Sequence, residues 1–195
     1  MKSLEKIGMK KNWIYEVVVS TFHDQKPHAA PIGVWTEDFD RLNMAIYKDS
    51  RTLKNIIRLK ACVANCVSDI SIFYAALFDK EKMAFEKSKK VNAPIVKGSA
   101  AAMELEIQNI AEGKNRFHIT AEIVDMSVRG DVELINRAKP LLLESLILST
   151  RIPYMKAGKA KKAFEENYRV IKKVAPDSEY QTIMEEISIK FDLQI

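Results

Sequence analysis

The hydrophobic pattern of this chain falls into two regimes. From residue 13 it runs at period two. Trp13, Tyr15, Val17 and Val19 alternate with Ile14, Glu16, Val18 and Ser20, which predicts a first strand with two largely apolar faces. The polar segment His23-Asp24-Gln25-Lys26-Pro27 predicts a turn. Ala29 to Trp35 reads as a second strand; Pro31 demotes it to an edge or a bulge, and Gly33 marks close backbone approach. Leu42, Met44 and Ile46 alternate with Arg41, Asn43, Ala45 and Tyr47 in a third strand. Ser50 then caps a helix carrying Leu53, Ile56, Ile57 and Lys60. Ala61 to Val67 is a continuous apolar run of strand length, and Ile70 to Phe78 reads as a short buried helix. Residues 79–93 mix lysines with acids, as a solvated helix or loop does. Two more alternating stretches, around Met103–Gln108 and Phe117–Ile123, complete six strands.

After Gly130 the period becomes helical. Asp131 is placed to cap a helix bearing Val132, Ile135, Ala138, Leu142 and Leu146, with a kink or restart expected at Pro140. A second helix is predicted from about Lys159 to Val174 and a third after Pro176. Residues 1–12 are basic and unpatterned, as a frayed arm would be. The expected fold is mainly β with α: a small six-stranded antiparallel β-barrel over residues 1–128, then a C-terminal helical region over 129–195, packed on the barrel or on a dimer partner.

Composition narrows the class. The chain has 195 residues, 47% of them apolar and 29% charged, which suits a folded domain rather than a disordered one. No signal-peptide pattern opens it and no apolar run approaches the roughly 20 residues of a membrane helix, so a cytoplasmic location and no membrane partner are expected. Cys62 and Cys66 lie four apart in a predicted strand, roughly 13 Å at about 3.3 Å per residue, too far for the approximately 7 Å limit of a disulfide. They read as small buried side chains. The net charge of +5 fits an anionic ligand. A nucleic-acid partner is not expected, because acids interleave the lysines at 79–90 and neither tryptophan lies near them.

Several chemistries are missing from the sequence. There is no G-x-G-x-x-G, no G-x-x-x-x-G-K and no G-x-S-x-G. His23, His28 and His118 are too few and too scattered for a zinc site, although His23 and His28 flank one turn. The richest segment is Tyr47-Lys48-Asp49-Ser50-Arg51-Thr52-Leu53-Lys54-Asn55. It sets two hydroxyls and a guanidinium where a strand ends and a helix begins, a place suited to a phosphomonoester; an ordinary serine cap beside an exposed arginine is the plainer reading. Ala29-Ala30-Pro31-Ile32-Gly33-Val34 has the small residues against which a flat ligand can lie.

Taken together, Ser20-Thr21, Ala30-Pro31-Ile32-Gly33 and Lys48 to Ile56 leading to Val63-Ala64-Asn65-Cys66-Val67 resemble the flavin-reductase-like FMN-binding split barrel. Within that superfamily the chain looks like the DUF447 family, whose C-terminal region is matched by Asn136-Arg137-Ala138 and Thr150-Arg151. The resemblance implies a homodimer with FMN near the subunit interface. It implies that Ser50, Arg51 and Thr52 hold the phosphate with Asn55 in support, and that the ring lies against Ala30, Pro31, Ile32 and Gly33 with Ser20, Thr21 and Asn65 nearby. Lys48 and Arg151 are the cations it offers to the pyrimidine end of the ring, Arg151 from its own or the partner subunit. Asp49-Ser50-Arg51 departs from the commonest pattern, in which threonine follows the acid, so either Ser50 or Thr52 can be the phosphate hydroxyl. The implied activity is a reductase of a small molecule or of flavin, fed by a donor such as NAD(P)H or a deazaflavin. A non-catalytic electron carrier is the alternative. No metal is implied.

Overall fold

The computed structural model describes residues 4–154 and 157–191. Six strands form a closed antiparallel barrel: β1 (Tyr15–His23), β2 (Lys26–Trp35), β3 (Arg41–Tyr47), β4 (Ala61–Cys66), β7 (Ala101–Glu112) and β8 (Arg116–Val128), in the order β1-β2-β3-β8-β7-β4. A separate small hairpin pairs β5 (Phe85–Lys87) with β6 (Pro94–Val96). Alternation explains the barrel wall. In β3, Leu42, Met44 and Ile46 are buried while their neighbours are not, and β4, apolar except for Asn65, is buried at every position.

β1 and β2 join through Asp24 and Gln25, both with positive φ, as a tight two-residue hairpin requires. The turn is therefore shorter than the five polar residues predicted, and β2 begins at Lys26. The expectation of an edge at Pro31 is met. β2 pairs with β1 from Val34↔Tyr15 to Lys26↔His23, but with β3 only at Val34 and Trp35 among the described residues. One edge of residues 26–33 is thus left outside the ladder, which is where a proline is tolerated.

β3 and β4 are not neighbours, so the chain must cross between them. Helix α1 (Arg51–Leu59) makes the crossing and packs against β1, β2, β3 and β4. Ser50 starts it and Lys60, in the left-handed region, ends it. Helix α2 (Ile70–Phe78), capped by Asp69, lays Phe73 and Ala76 on Val18, Ala29, Val67 and Val96. It is not the buried helix expected. Ile70, Tyr74, Leu77 and Phe78 remain 53–73% exposed, because only one face of this uniformly apolar helix meets the barrel.

The structure corrects four other expectations. The arm is packed from residue 4 on: Leu4 and Ile7 form a buried 3-10 turn and Met9 is buried too. β1 starts at Tyr15, not Trp13. Residues 79–93 contain a 3-10 turn and β5 rather than one solvated helix or loop. The first C-terminal helix, α3, covers Ala138–Ser149 rather than starting at Asp131. Pro140 then sits in the first turn, where no intrahelical donor is needed, and no kink is required.

Chain contacts divide the protein into two compact units. The barrel unit comprises residues 4–11 and Tyr15–Ile135, and the helical unit comprises Asn12–Ile14 with residues 136–191. In the helical unit α3, α4 (Ala157–Val174) and α5 (Glu179–Phe191) bury Leu142, Phe164, Ile171, Met184 and Ile187. Asn136 ties the early segment to this unit: its amide donates to Ile14 O at 2.9 Å and Val174 O at 2.8 Å, and its Oδ1 accepts from Ala138 N at 2.8 Å. No described helix is long and apolar enough to cross a membrane.

The loop between β5 and β6 is held from below. Glu104, only 3% exposed, accepts N–H bonds from Lys89 (2.8 Å), Lys90 (2.6 Å) and Val91 (3.2 Å). Glu104→Ala would leave those donors without their acceptor and should cost about 3 kcal/mol of unfolding free energy in urea titration; an unchanged midpoint would show that the loop needs no such anchor. Cys62 and Cys66 are free and buried, and burial pushes both thiols up to about 12. A thiol reagent at neutral pH should label them only under unfolding conditions, and prompt labelling of the folded protein would contradict this burial.

Candidate functional site

The site grows from the end of β3. Ser50 N donates to Tyr47 O at 3.1 Å, closing a turn, and Ser50 Oγ accepts from Leu53 N at 3.2 Å as the helix cap. The first intrahelical bond runs from Lys54 N to Ser50 O at 3.3 Å. The first-turn N–H groups of Arg51 and Thr52 therefore sit at the helix mouth, where an α-helix has no acceptor of its own and carries partial positive charge. The Arg51 side chain is exposed and forms no ion pair among the described residues.

Below that mouth lies a buried polar lattice between α1 and the β1–β2 hairpin. His28, 7% exposed, places Nε2 at 3.1 Å from Thr52 Oγ1. Asn55, 1% exposed, donates from Nδ2 to Thr21 Oγ1 at 2.9 Å and sets Oδ1 at 3.0 Å from His23 Nδ1. The hairpin register makes this possible, because Thr21 pairs with His28 and His23 with Lys26. Burial pushes the His28 imidazole down to about 4, and the positive charges of Lys80, Arg51 and His23 add to the effect. At neutral pH His28 is therefore an uncharged ring near the cations Arg51 and Lys80.

The sequence-predicted residues separate into groups. Thr21, Thr52 and Asn55 belong to the lattice, with Ser50 and Arg51 above it. Ala30, Pro31, Ile32 and Gly33 follow His28 on β2 and are partly exposed along the strand's unladdered edge. Ser20 and Asn65 form a second, fully buried network. Asn65 Nδ2 donates to Val18 O (2.8 Å) and Ser20 Oγ (2.9 Å), Asn65 Oδ1 accepts from Val96 N (2.9 Å), and Ser20 donates to Pro94 O. This network clamps β6 onto β1 and β4. Lys48 pairs with Glu112 at 2.5 Å and lies 5.8 Å from the centre of the Phe117 ring. Arg151 is exposed in the helical unit, its N–H bonded to Leu148 O at 2.9 Å.

His23, His28 and Lys80 are the residues that sequence reasoning passed over. Two histidines flanking a two-residue hairpin were the available signal; nothing along the chain ties Lys80 to them. A cavity of about 560 Å³ opens at the opposite end of α1, lined by Phe22, Asp24, Gln25, Arg58, Leu59 and Asn92. Among the described residues no group of three or more His, Cys, Asp or Glu is arranged to hold a metal.

The N-terminal domain model of a family described as "Protein of unknown function (DUF447)" matches residues 15–130, and the second model of that family, under the same description, matches residues 136–188. The chain belongs to the DUF447 family. An uncharacterised protein of Methanocaldococcus jannaschii is 28% identical to this DUF447 chain over 148 residues, covering 71% of the chain and 74% of that protein. Among solved structures, an FMN-bound DUF447 protein from Methanosarcina mazei superposes with a TM-score of 0.57 at 20% identity, over 95% of this chain and 98% of its own. An NADH:FAD oxidoreductase from Streptomyces globisporus superposes at 0.54 with 13% identity, over 64% of this chain and 75% of its own. At these identities the two structures share the fold of this DUF447 chain.

The buried neutral histidine has a consequence for stability. Burial holds its imidazole down to about 4 in the fold against the ordinary 6.5 of the unfolded chain, so between these values the unfolded chain binds more protons. His28 should therefore make the fold lose stability as pH falls from about 6.5 to about 4, with no further contribution below. Melting temperatures across that range should show the decline, and His28→Gln should flatten it; a variant with the same slope as the wild type would remove His28 from the effect.

Proposed function

We propose that this DUF447 protein binds FMN in its barrel unit and works as an FMN-dependent oxidoreductase of a small molecule or of flavin. The observation that carries the reading is the mouth of α1. It holds an exposed Arg51 guanidinium without an ion pair among the described residues and two first-turn N–H groups, while β2 has an unladdered edge at Ala30–Gly33. The FMN-bound Methanosarcina mazei relative and the Streptomyces globisporus oxidoreductase, which share this fold, support it.

In this reading Arg51, the Arg51 and Thr52 N–H groups and Ser50 hold the phosphate dianion. Thr52 and Asn55, through His28, Thr21 and His23, fix the turn that presents them. Ala30, Pro31, Ile32 and Gly33 give the flat ring a partly exposed, uncharged strand edge to lie against. Ser20, Thr21 and Asn65 keep the barrel wall behind it rigid. Lys48, and Arg151 from its own or a partner subunit, supply positive charge toward the pyrimidine end. FMN, when bound, supplies the hydride or electron transfer, with NAD(P)H or a deazaflavin as donor. The assembly is a homodimer, for which the exposed stripe Ile70, Tyr74, Leu77 and Phe78 offers apolar area. The cytoplasm, where the free thiols of Cys62 and Cys66 persist, is its location.

Purified protein should show flavin absorption that survives dialysis, or a raised melting temperature on adding FMN; a colourless protein indifferent to FMN would refute the cofactor. Arg51→Ala should weaken FMN about tenfold or more and leave riboflavin nearly unchanged, since only FMN carries the phosphate. Equal weakening of both would take Arg51 out of the phosphate site. Oxidation of NAD(P)H or a reduced deazaflavin by the FMN-loaded protein tests the catalytic half, and no turnover with any donor would leave a flavin-binding electron carrier.

A further inference from the structure

We propose that His28 is a positioning residue for the anion site: its hydrogen bond to Thr52 fixes the first turn of α1 so that the Arg51 and Thr52 N–H groups and the Arg51 guanidinium converge on one phosphate. The proposal rests on the FMN reading above and adds the device that orients its phosphate end.

The geometry is specific. A serine cap stabilises a helix start but is local, since Ser50 Oγ bonds Leu53 of the same turn and cannot orient that turn against the barrel. Leu53 and Ile56 bury one face of α1, yet apolar contacts are non-directional and leave small rotations open. Directional bonds from α1 side chains into the β1–β2 hairpin are those of Thr52 to His28, Asn55 to Thr21 and His23, and Arg58 to Asp24. Asn55 and Arg58 act further along the helix. Thr52 is the member in the first turn, where the anion would bind.

Thr52 is only 2% exposed, so its hydroxyl faces inward to His28 rather than outward to a ligand. This decides between the two hydroxyls of Asp49-Ser50-Arg51-Thr52. Thr52 contributes its N–H and its grip on His28, and Ser50 is the hydroxyl that stays at the mouth. An uncharged ring suits the task. It offers a partner for a hydroxyl without a further cation beside Arg51 and Lys80, and burial keeps it uncharged throughout the neutral range.

The experiment compares FMN and riboflavin affinities, by flavin fluorescence, for the full-length wild type, His28→Leu, His28→Gln, Thr52→Val and the double variant His28→Leu/Thr52→Val. His28→Leu should weaken FMN about tenfold while riboflavin changes less than about twofold, because only the phosphate end is misaligned. His28→Gln, whose amide nitrogen can stand where Nε2 stood, should restore most of the FMN preference. Thr52→Val should match His28→Leu, and the double variant should lose no more than either alone, since both break one bond. A merely structural role would lower both affinities together. An unchanged FMN-to-riboflavin ratio in His28→Leu overturns the proposal, and so do losses that multiply in the double variant. If His28→Leu fails to fold, Thr52→Val and His28→Gln decide by the same ratio. A wild type with no preference for FMN over riboflavin overturns the phosphate reading and the proposal together; a wild-type preference unaltered by these changes overturns the proposal alone.

Discussion

The barrel unit depends on the register of one hairpin. Asp24 and Gln25 both adopt left-handed backbone, and that two-residue turn sets Thr21 across from His28. A slip by one residue would turn every side chain of one strand to the opposite face. Thr21 and His28 would then no longer both point at α1, and Val18 and Ala29 would no longer both lie beneath α2. The polar lattice and the apolar cover of the barrel are thus two results of one pairing. The turn carries no hydrophobic residue, so its contribution is purely conformational.

The polar atoms buried around the barrel divide their work by direction. Asn65 and Ser20 bond sideways along the wall and close it around β6, while Thr21, Asn55, Thr52 and the two histidines bond upward into the crossing helix. Unsatisfied, each of these groups would cost on the order of 1–3 kcal/mol, so each network holds only if complete. Positive charge is kept apart from both. Arg51 and Lys80 lie outside, and the one titratable ring between them is held neutral.

Much of the barrel was legible because alternation reports a half-buried strand directly, as at Leu42, Met44 and Ile46. Pro31 disclosed the missing ladder on one side of β2 for an equally local reason. The failures share a different cause. The apolar composition of α2 gives no face to bury, so its sequence could not tell one covered side from a fully buried helix. Val132 and Ile135 continued a helical period, yet Ile135 pairs with Glu16 as a β-bridge, a contact far along the chain that local spacing cannot encode. In the site, residues 48–55 announced themselves through helix-start chemistry. His28 did not, since a histidine beside a turn is ambiguous until the register shows which helix residue it meets.

The helical unit draws Asn12–Ile14 from the beginning of the chain, and Asn136 holds that segment beside Val174 while Trp13 rests 5.7 Å from Tyr180, ring centre to ring centre. During synthesis this segment is made before any strand of the barrel, whereas Val174 and Tyr180 are made after all of them. The unit is consequently completed only after every strand of the barrel has been made. A chain cut off after the barrel would leave Trp13 and Ile14 without the helices they pack against, so two early apolar residues depend on helices made after every barrel strand.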